Sequence, residues 1–286
     1  MSAEARPIVK SERPRKTGDL SITALYTNAT WTWAKLPGAA LLASRDAKTV
    51  FDVTNLVLAV PRMLRRGPSL PCSLVQRHLM IDRLVEDATH VLELAAGLSR
   101  RGLTMSANST VVYVEVDRAS VIARKRELLA RTPEGQAVLA RQNLRLVGAN
   151  IADADFDDLC PAAAGSPLVV IAEGLFMYLD ADEQRSLWRR TRALFDARPG
   201  LLVFDLVPFT EQRRDGLIGR ALGGLLKLAT GGTTFARDER TRDDVAGELR
   251  GIGFDVETIE PHTAPEQWQL PYRDVRTQQL LFVCRV

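Results

Sequence analysis

Residues able to hold a nucleoside-containing ligand are concentrated between Val91 and Asp117. An apolar run, VLELA, leads into the small residues Ala95–Gly97, and a second apolar run, VVYVEV, ends at Asp117, 20 residues after Gly97. Small residues at a strand-to-helix turn let the backbone approach a ligand closely. A carboxylate about 20 residues further on can accept hydrogen bonds from ribose hydroxyls. The spacing therefore predicts a cofactor that contains a nucleoside.

Two features of this stretch bear on which cofactor that is, because the spacing alone does not separate a dinucleotide from S-adenosylmethionine. The turn has one glycine where the dinucleotide fingerprint has three, so a pyrophosphate would lack its usual cradle. Glu93 stands inside the first run, in a (V/L)-x-(E/D)-L pattern that is common in methyltransferases. Both features favour S-adenosylmethionine over a dinucleotide. A Rossmann dehydrogenase remains an alternative and ranks third, after a methyltransferase and a non-catalytic cofactor-binding regulator.

Seven short apolar runs, separated by helix-length segments, predict the elements that position these residues. They are Val91–Ala95, Val111–Val116, Leu144–Val147, Leu168–Ala172, Leu201–Leu206, Phe254–Ile259 and Leu280–Cys284. Four of them are nearly continuous in apolar residues, as in strands that are buried on both faces of a parallel sheet. The alternation predicts an α/β fold with a doubly wound, mostly parallel, seven-stranded sheet.

Two helix starts and one helix end are marked by capping residues. Asp180 with Glu183, and Thr241 with Asp244, have the spacing of a capping box. Gly253 follows the second of these helices and is predicted to end it.

The remaining parts of the chain are predicted to form an arm, a cap and a lid. Residues 1–18 form a flexible basic arm, and residues 19–286 form a single domain. Residues 19–88 are predicted to form a helical cap whose helices are broken by Pro37-Gly38, and by Gly67-Pro68 with Pro71. Residues 208–238 follow the fifth strand and carry an apolar stripe at helical spacing. Because ligands of open α/β sheets bind beyond the carboxyl ends of the strands, we interpret this insertion as a lid.

Composition and charge narrow the class of protein and its partners. The net charge of +3 equals the excess of basic residues in residues 1–18, so the folded body has no basic stripe and no nucleic-acid partner is expected. No apolar run reaches the roughly 18 residues of a membrane span, and no secretory signal is recognisable. We therefore expect a cytoplasmic protein with no membrane partner. The cysteines and histidines share no metal-ligand spacing, so no metal site is predicted.

The sequence resembles the leucine carboxyl methyltransferase family and, within it, the bacterial O-methyltransferases of polyketide biosynthesis. The likeness is strongest from about Leu70 to Pro208. Five segments carry it, namely QRHLMIDRLVED, VLELAAGLSRRG, VYVEVDRASVIARKRELL, LVGANIADADFDDL and VVIAEGLFMYLDADEQ. The resemblance implies a class I, S-adenosylmethionine-dependent methyltransferase that transfers its methyl group to an oxygen atom.

The resemblance also assigns roles to individual residues. Arg77 is expected to meet the carboxylate of S-adenosylmethionine, and Asp117 the ribose. Glu173 and Tyr178 are expected at the mouth of the site as the catalytic residues. The full set of predicted cofactor-binding residues is Arg77, Glu93, Ala95, Gly97, Asp117, Asn150, Ile151 and Glu173, of which Asn150 and Ile151 would flank the adenine.

The sequence departs from the family pattern at three positions in two of these segments. Ala95 replaces the first glycine of the turn, Ser99 replaces the usual aspartate, and Asn150 stands where an aspartate is common. Ala95 leaves room for a methyl group at most, so cofactor binding is expected to survive.

The leading functional hypothesis is methyl transfer to a carboxylate or hydroxyl of a small, hydrophobic acceptor such as a polyketide-type metabolite. A methyltransferase for the C-terminal carboxylate of a protein and a non-catalytic, cofactor-binding regulator are the alternatives. Because the strand-end motifs contain no histidine, we expect transfer without a general base, to a carboxylate or an acidic phenol.

Overall fold

The computed structural model describes residues 22–64, 69–208, 239–273 and 279–286, without the side chains of residues 57–64. The predicted basic arm, residues 1–18, lies outside the described residues. So does the predicted lid, except for Pro208. The predicted division into arm, cap, lid and single domain stays a prediction.

Seven strands form one sheet in the order β3-β2-β1-β4-β5-β7-β6. The strands are β1 His90–Leu94, β2 Val112–Asp117, β3 Leu144–Gly148, β4 Leu168–Ala172, β5 Gly200–Asp205, β6 Asp255–Ile259 and β7 Leu281–Arg285. The first five are parallel, and β7 runs antiparallel to both β5 and β6. The predicted fold class is confirmed, and every strand end lies within one residue of its predicted position.

Helices flank the sheet and precede it. They are α1 Ile22–Trp33, α2 Arg45–Leu64, α3 Leu70–Leu84, α4 Arg101–Met105, α5 Ala119–Leu129, α6 Pro133–Leu139, α7 Phe156–Leu159, α8 Ala181–Leu194 and α9 Arg242–Ile252. Short 3-10 turns occur at Ala39–Leu42, Phe176–Tyr178 and Glu266–Trp268. Within the described ranges, no helix is both long and apolar enough to cross a membrane.

The capping predictions are confirmed, whereas one predicted helix break is wrong. Both capping boxes form, at Asp180 in front of α8 and at Thr241 in front of α9, and Gly253 caps the end of α9. Pro71 does not break a helix, because it lies in the first turn of α3. A proline is tolerated there, since the first amide groups of a helix have no acceptor within the helix.

Alternate residues along each strand point to the two faces of the sheet and enter different hydrophobic clusters. On β1, for example, Val91 packs with residues of α1, α3 and α5, whereas Leu92 packs with residues of α8 and α9. This burial on both faces explains why the strands are nearly continuous in apolar residues. Because β1 to β5 are parallel, their carboxyl ends lie at the same edge of the sheet. We call this edge, with the turns that follow β1 to β5, the carboxyl edge.

Candidate active site

The turn after β1 and the end of β2 meet at the carboxyl edge. The amide of Gly97 donates a hydrogen bond to Asp117 Oδ2 at 2.7 Å, and the amide of Arg118 donates to Oδ1 at 2.7 Å. Ala95 and Gly97 have φ angles of 53° and 55°, which turn the chain sharply after the strand. Burial raises the pKa of Asp117, although these two backbone hydrogen bonds oppose it. Each carboxylate oxygen keeps a lone pair for a further donor.

The predicted adenine-flanking residues follow β3, the strand next to β2. Gly148 pairs with Asp117 in the sheet register, so Asn150 and Ile151 lie just beyond the end of β2. Asn150 donates from its side-chain Nδ2 to Asp153 Oδ2 at 2.5 Å, and Arg190 Nη1 donates to the carbonyl of Ile151 at 2.9 Å. The structure places the pair at the carboxyl edge without joining either side chain to Asp117.

A buried network of charged side chains occupies the ends of β4 and β5. Arg77, on α3, donates from Nε to Glu173 Oε1 at 3.0 Å and from Nη1 to Asp205 Oδ2 at 2.8 Å. Asp205 Oδ1 also accepts from the amide of Gly174 at 2.5 Å. Gly174 has a φ of 69°, and a Cβ built on it would lie 3.5 Å from Arg77 Nη2, so the backbone passes close to the guanidinium.

Arg101, at the start of α4, extends this network toward β1. Its Nη2 donates to Glu173 Oε2 at 2.9 Å, and its Nη1 donates to Glu93 Oε1 at 2.6 Å. Its Nε donates to Asp82 Oδ1 at 2.7 Å. With 1% of its side chain exposed, this guanidinium is one of the most buried charges described. We refer to Arg77, Asp82, Glu93, Arg101, Glu173 and Asp205 as the ion network.

His78 adjoins the ion network and is uncharged at neutral pH. Its Nδ1 lies 2.8 Å from Glu173 Oε2, and the indole of Trp31 stacks on its ring with centroids 4.2 Å apart. Burial lowers the pKa of His78 to about 4, since the attraction of Glu173 is offset by Arg101. The same Nδ1 lies 3.0 Å from Arg101 Nη2, so this nitrogen stands between a carboxylate that accepts and a guanidinium that donates.

The two carboxyl groups that Arg77 contacts respond differently to their surroundings. Burial opposes ionisation of Glu173, but His78, Arg77 and Arg101 outweigh burial and hold the pKa of this carboxyl well below its usual value. Burial raises the pKa of Asp205 despite the attraction of Arg77. The same two carboxylates raise the pKa of Arg77 against the effect of burial, so Arg77 stays charged.

Glu93 belongs to the ion network, and Tyr178 lies close enough to feel the charges of Arg77 and Asp205. Glu93 is 1% exposed, and its second oxygen accepts from the hydroxyl of Tyr113 at 2.8 Å, so both of its oxygens have protein donors. The hydroxyl of Tyr178 donates to Thr23 Oγ1 on α1 at 3.3 Å. Burial raises the pKa of Tyr178, which therefore carries its proton at neutral pH. Contact of either residue with a cofactor or acceptor stays a prediction.

A second buried ion pair, Lys125 with Glu115, contacts the turn after β1. Lys125, on α5, contacts Glu115 on β2, and it also donates to the carbonyl of Ser99 at 2.5 Å. Both side chains are fully buried. The backbone of Ser99, where the family has an aspartate, is thus fixed by a lysine of α5.

The predicted site residues left out four members of this arrangement, namely His78, Asp82, Arg101 and Asp205. Arg101 was indistinguishable from Arg100 next to it, and His78 shared no spacing with the other histidines. A usable signal was the spacing of His78 and Asp82, four residues apart on one face of α3.

A profile of the leucine carboxyl methyltransferase family matches residues 24–192, which is more than half of the chain and includes most of the ion network. The chain belongs to the leucine carboxyl methyltransferase family. The predicted family is therefore confirmed, whereas its polyketide branch is not tested.

Relatives with similar sequences come from actinobacteria. A protein of Mycobacterium sp. strain KMS, provisionally named an S-adenosyl-L-methionine-dependent methyltransferase, is 39% identical over 185 residues, which cover 62% of this chain and 51% of the relative. A protein of Frankia alni with the same provisional name is 28% identical over 68% of this chain and 66% of its own length. These names contain S-adenosyl-L-methionine, which is the predicted cofactor. The chain spans about half the length of several curated relatives it matches.

One solved structure aligns with most of this chain. An O-methyltransferase family protein from Burkholderia thailandensis aligns with 94% of this chain and 73% of its own, at 13% identity and a TM-score of 0.49. A likeness this distant says nothing about activity.

The described residues suit S-adenosylmethionine at the carboxyl edge. Arg77 Nη2 has no acceptor among the described residues, and a guanidinium with a free donor suits a carboxylate. Asp117 retains acceptor capacity for a ribose, and a Cβ at Gly97 would meet its nearest neighbour only at 3.9 Å. In the described ranges, no three His, Cys, Asp or Glu side chains are grouped to hold a metal ion.

Proposed function

We propose that this chain is an S-adenosylmethionine-dependent O-methyltransferase that methylates a carboxylate or hydroxyl of a small, apolar acceptor, such as a polyketide-type metabolite. The observation that carries the proposal is the contact between the Gly97 amide and Asp117 in a chain of this family. S-Adenosylmethionine supplies a methyl group on a sulfonium, which is open to in-line displacement by an oxygen nucleophile.

The protein residues would bind and orient the two reactants. Asp117 would accept the ribose hydroxyls, Asn150 and Ile151 would flank the adenine, and Arg77 would hold the carboxylate. Glu93, in this proposal, acts through Arg101, to which it is bonded at 2.6 Å. Alignment is the main task, because holding two reactants in attack geometry removes much of the barrier.

Glu173 and Tyr178 would act at the acceptor side of the same edge. Glu173 stays ionised and fixes Arg77 and Arg101, and we propose that it also orients the ammonium group of the cofactor. Tyr178 keeps its proton, so its hydroxyl could turn from Thr23 Oγ1 and donate a hydrogen bond to the acceptor oxygen. Both roles put positive or donating groups near an anionic acceptor.

The acceptor that this arrangement suits best is already an anion. The histidine near the site, His78, has a pKa of about 4 and is a weak base at neutral pH. A general base is effective when its pKa lies near the working pH. A carboxylate or an acidic phenol needs no base, so these acceptors agree with the charges at the site.

A binding and turnover experiment tests the proposal. S-Adenosylmethionine and S-adenosylhomocysteine are expected to raise the melting temperature, since a ligand at 100 times its dissociation constant stabilises by about 2.7 kcal/mol. NAD and NADP serve as controls and should cause no shift. Labelled methyl transfer is then measured to small aromatic carboxylic acids, phenols, aliphatic alcohols and a peptide that ends in leucine.

The expected result is transfer to the acids or phenols. Stabilisation by NAD alone would refute the methyltransferase assignment. Transfer to the peptide alone would identify a protein carboxylate as the acceptor, and cofactor binding without any transfer would favour a regulator.

A further inference from the structure

Asn28, in the middle of α1, has a buried and unpaired carboxamide. It is 0% exposed, and neither Oδ1 nor Nδ2 has a hydrogen-bond partner among the described residues. The polar residues around it are satisfied within the helix, since Thr30 and Thr32 each donate to a carbonyl of α1. A buried amide without hydrogen bonds costs free energy. The residue therefore destabilises the unliganded protein unless something else supplies its partners.

The position of Asn28 on α1 shows where such a partner must lie. Ala24 precedes it by four residues and Trp31 follows it by three, so the three side chains lie on one face of the helix. Ala24 is the nearest neighbour of Gly97, 3.9 Å from a Cβ built on that glycine. Trp31 stacks on His78. The carboxamide of Asn28 is thus on the stretch of α1 between the turn after β1 and the ion network.

The ion network next to this stretch carries charges of both signs. Arg77 and Arg101 are cations, and Glu173 is an anion whose pKa is held low. A zwitterion with one ammonium and one carboxylate meets both kinds of partner there. A carboxamide matches it too, because its oxygen accepts from the ammonium and its nitrogen donates to the carboxylate.

We propose that Asn28 is a cofactor-binding residue whose carboxamide hydrogen-bonds the amino-acid end of S-adenosylmethionine. The inference rests on the proposed function and adds a residue from the helical cap to the site. The adenine would lie farther from Asn28, because Asn150 follows β3, two strands from β1, and strands are about 4.8 Å apart.

The test compares two ligands that differ only at the amino-acid end. S-Adenosylhomocysteine has the ammonium and carboxylate, whereas 5′-methylthioadenosine lacks both. Asn28→Ala is expected to weaken binding of S-adenosylhomocysteine 10- to 100-fold in calorimetry and binding of 5′-methylthioadenosine less than twofold. Asn28→Leu, which keeps the number and branching of the side-chain heavy atoms, should show the same selective loss. In the absence of ligand, the Leu variant should melt no lower than the wild type.

Asn55→Ala is the matched control. Asn55 is also a helical asparagine of the cap, but its oxygen accepts from Tyr26 and its nitrogen donates to the carbonyl of Phe51. This variant should bind both ligands like the wild type.

Each other outcome has a separate meaning. An equal loss for both ligands would overturn the assignment, because it would show that Asn28 shapes the fold of the site. Unchanged binding of both would overturn it in favour of a buried water as the partner. A wild-type protein that binds neither ligand would refute the proposed function itself.

Discussion

The two halves of the carboxyl edge are built by opposite means. Around Gly97 and Asp117, backbone amides bond a carboxylate of the neighbouring strand, and the partners are 20 residues apart in sequence. In the ion network, side chains carry every contact between Arg77, Arg101 and Glu173. Those partners are 72 to 96 residues apart, and Arg77 is 128 residues from Asp205.

The difference indicates which half contributes most to stability and which half keeps exposed hydrogen-bonding groups. Charges in the ion network are buried and multiply paired, so removing one partner leaves others uncompensated. The Gly97–Asp117 contact is partly exposed and keeps free lone pairs. We therefore expect changes in the network to act mainly on stability, and changes at Asp117 to act mainly on ligand affinity.

Arg101→Met should have the largest effect. It leaves Glu93, Glu173 and Asp82 without their shared cation, and breaking a buried pair in this way costs about 3–5 kcal/mol. Urea denaturation would measure the free energy of unfolding. Arg189→Met, at an exposed arginine, is the control and should change it by less than about 0.5 kcal/mol. If the two substitutions lowered the free energy of unfolding equally, the ion network would not be the part of the edge that stabilises the fold.

The second-largest expected effect is a loss of stability at the ion network when the pH is lowered. The pKa of His78 is lowered from 6.5 to about 4 on folding, so the unfolded chain binds a proton more readily between these values. Stability from this group is present above pH 6.5 and is lost as the pH falls toward 4, by up to about 3 kcal/mol. His78→Gln should remove this part of the pH dependence of unfolding, whereas His262→Gln, at an exposed histidine, should retain it. Superimposable profiles for wild type and His78→Gln would contradict the assignment of a neutral, buried imidazole.

Asp117→Ala tests the part of the carboxyl edge around Gly97 and Asp117. Loss of a charged acceptor for the ribose costs roughly 1.5–3 kcal/mol, which is a tenfold to hundredfold loss of affinity for S-adenosylhomocysteine in calorimetry. Asp158→Ala is a suitable control, because Asp158 is exposed, whereas Asp153 contacts Asn150. Unchanged affinity for Asp117→Ala would place the ribose elsewhere.

Ala95→Gly should have the smallest effect, and it should be stabilising. A non-glycine residue at a φ of 53° is strained, so glycine is expected to raise the free energy of unfolding by about 1 kcal/mol. Ala96→Gly, one residue on and not in a left-handed conformation, should lower it by about 0.5–1 kcal/mol. If both substitutions lowered stability, strain at Ala95 would be disproved.

The elements of the fold could be predicted from sequence because their signals are local. Apolar runs marked all seven strands, and capping residues marked the starts of α8 and α9. Pro71 was misread because the same residue ends a helix in one position and begins it in another. Only the start of α3 at Leu70 distinguishes the two.

The part of the candidate site around Gly97 and Asp117 could also be predicted from sequence, since it depends on one turn and one strand end at a fixed spacing. The direct bond from the Gly97 amide to Asp117 was not foreseen. It follows from β1 and β2 being neighbours, which spacing alone does not say.

The ion network and Asn28 were decided by the tertiary structure. A lone arginine or asparagine on an amphipathic helix has the same sequence pattern whether it faces water or the interior. Burial of Arg101 is tolerable only because Asp82, Glu93 and Glu173 arrive from three other elements. The sequence alone determined the sheet, its caps and the nucleoside turn. Which charges are buried together was decided by packing, because a buried charge depends on partners that are distant along the chain.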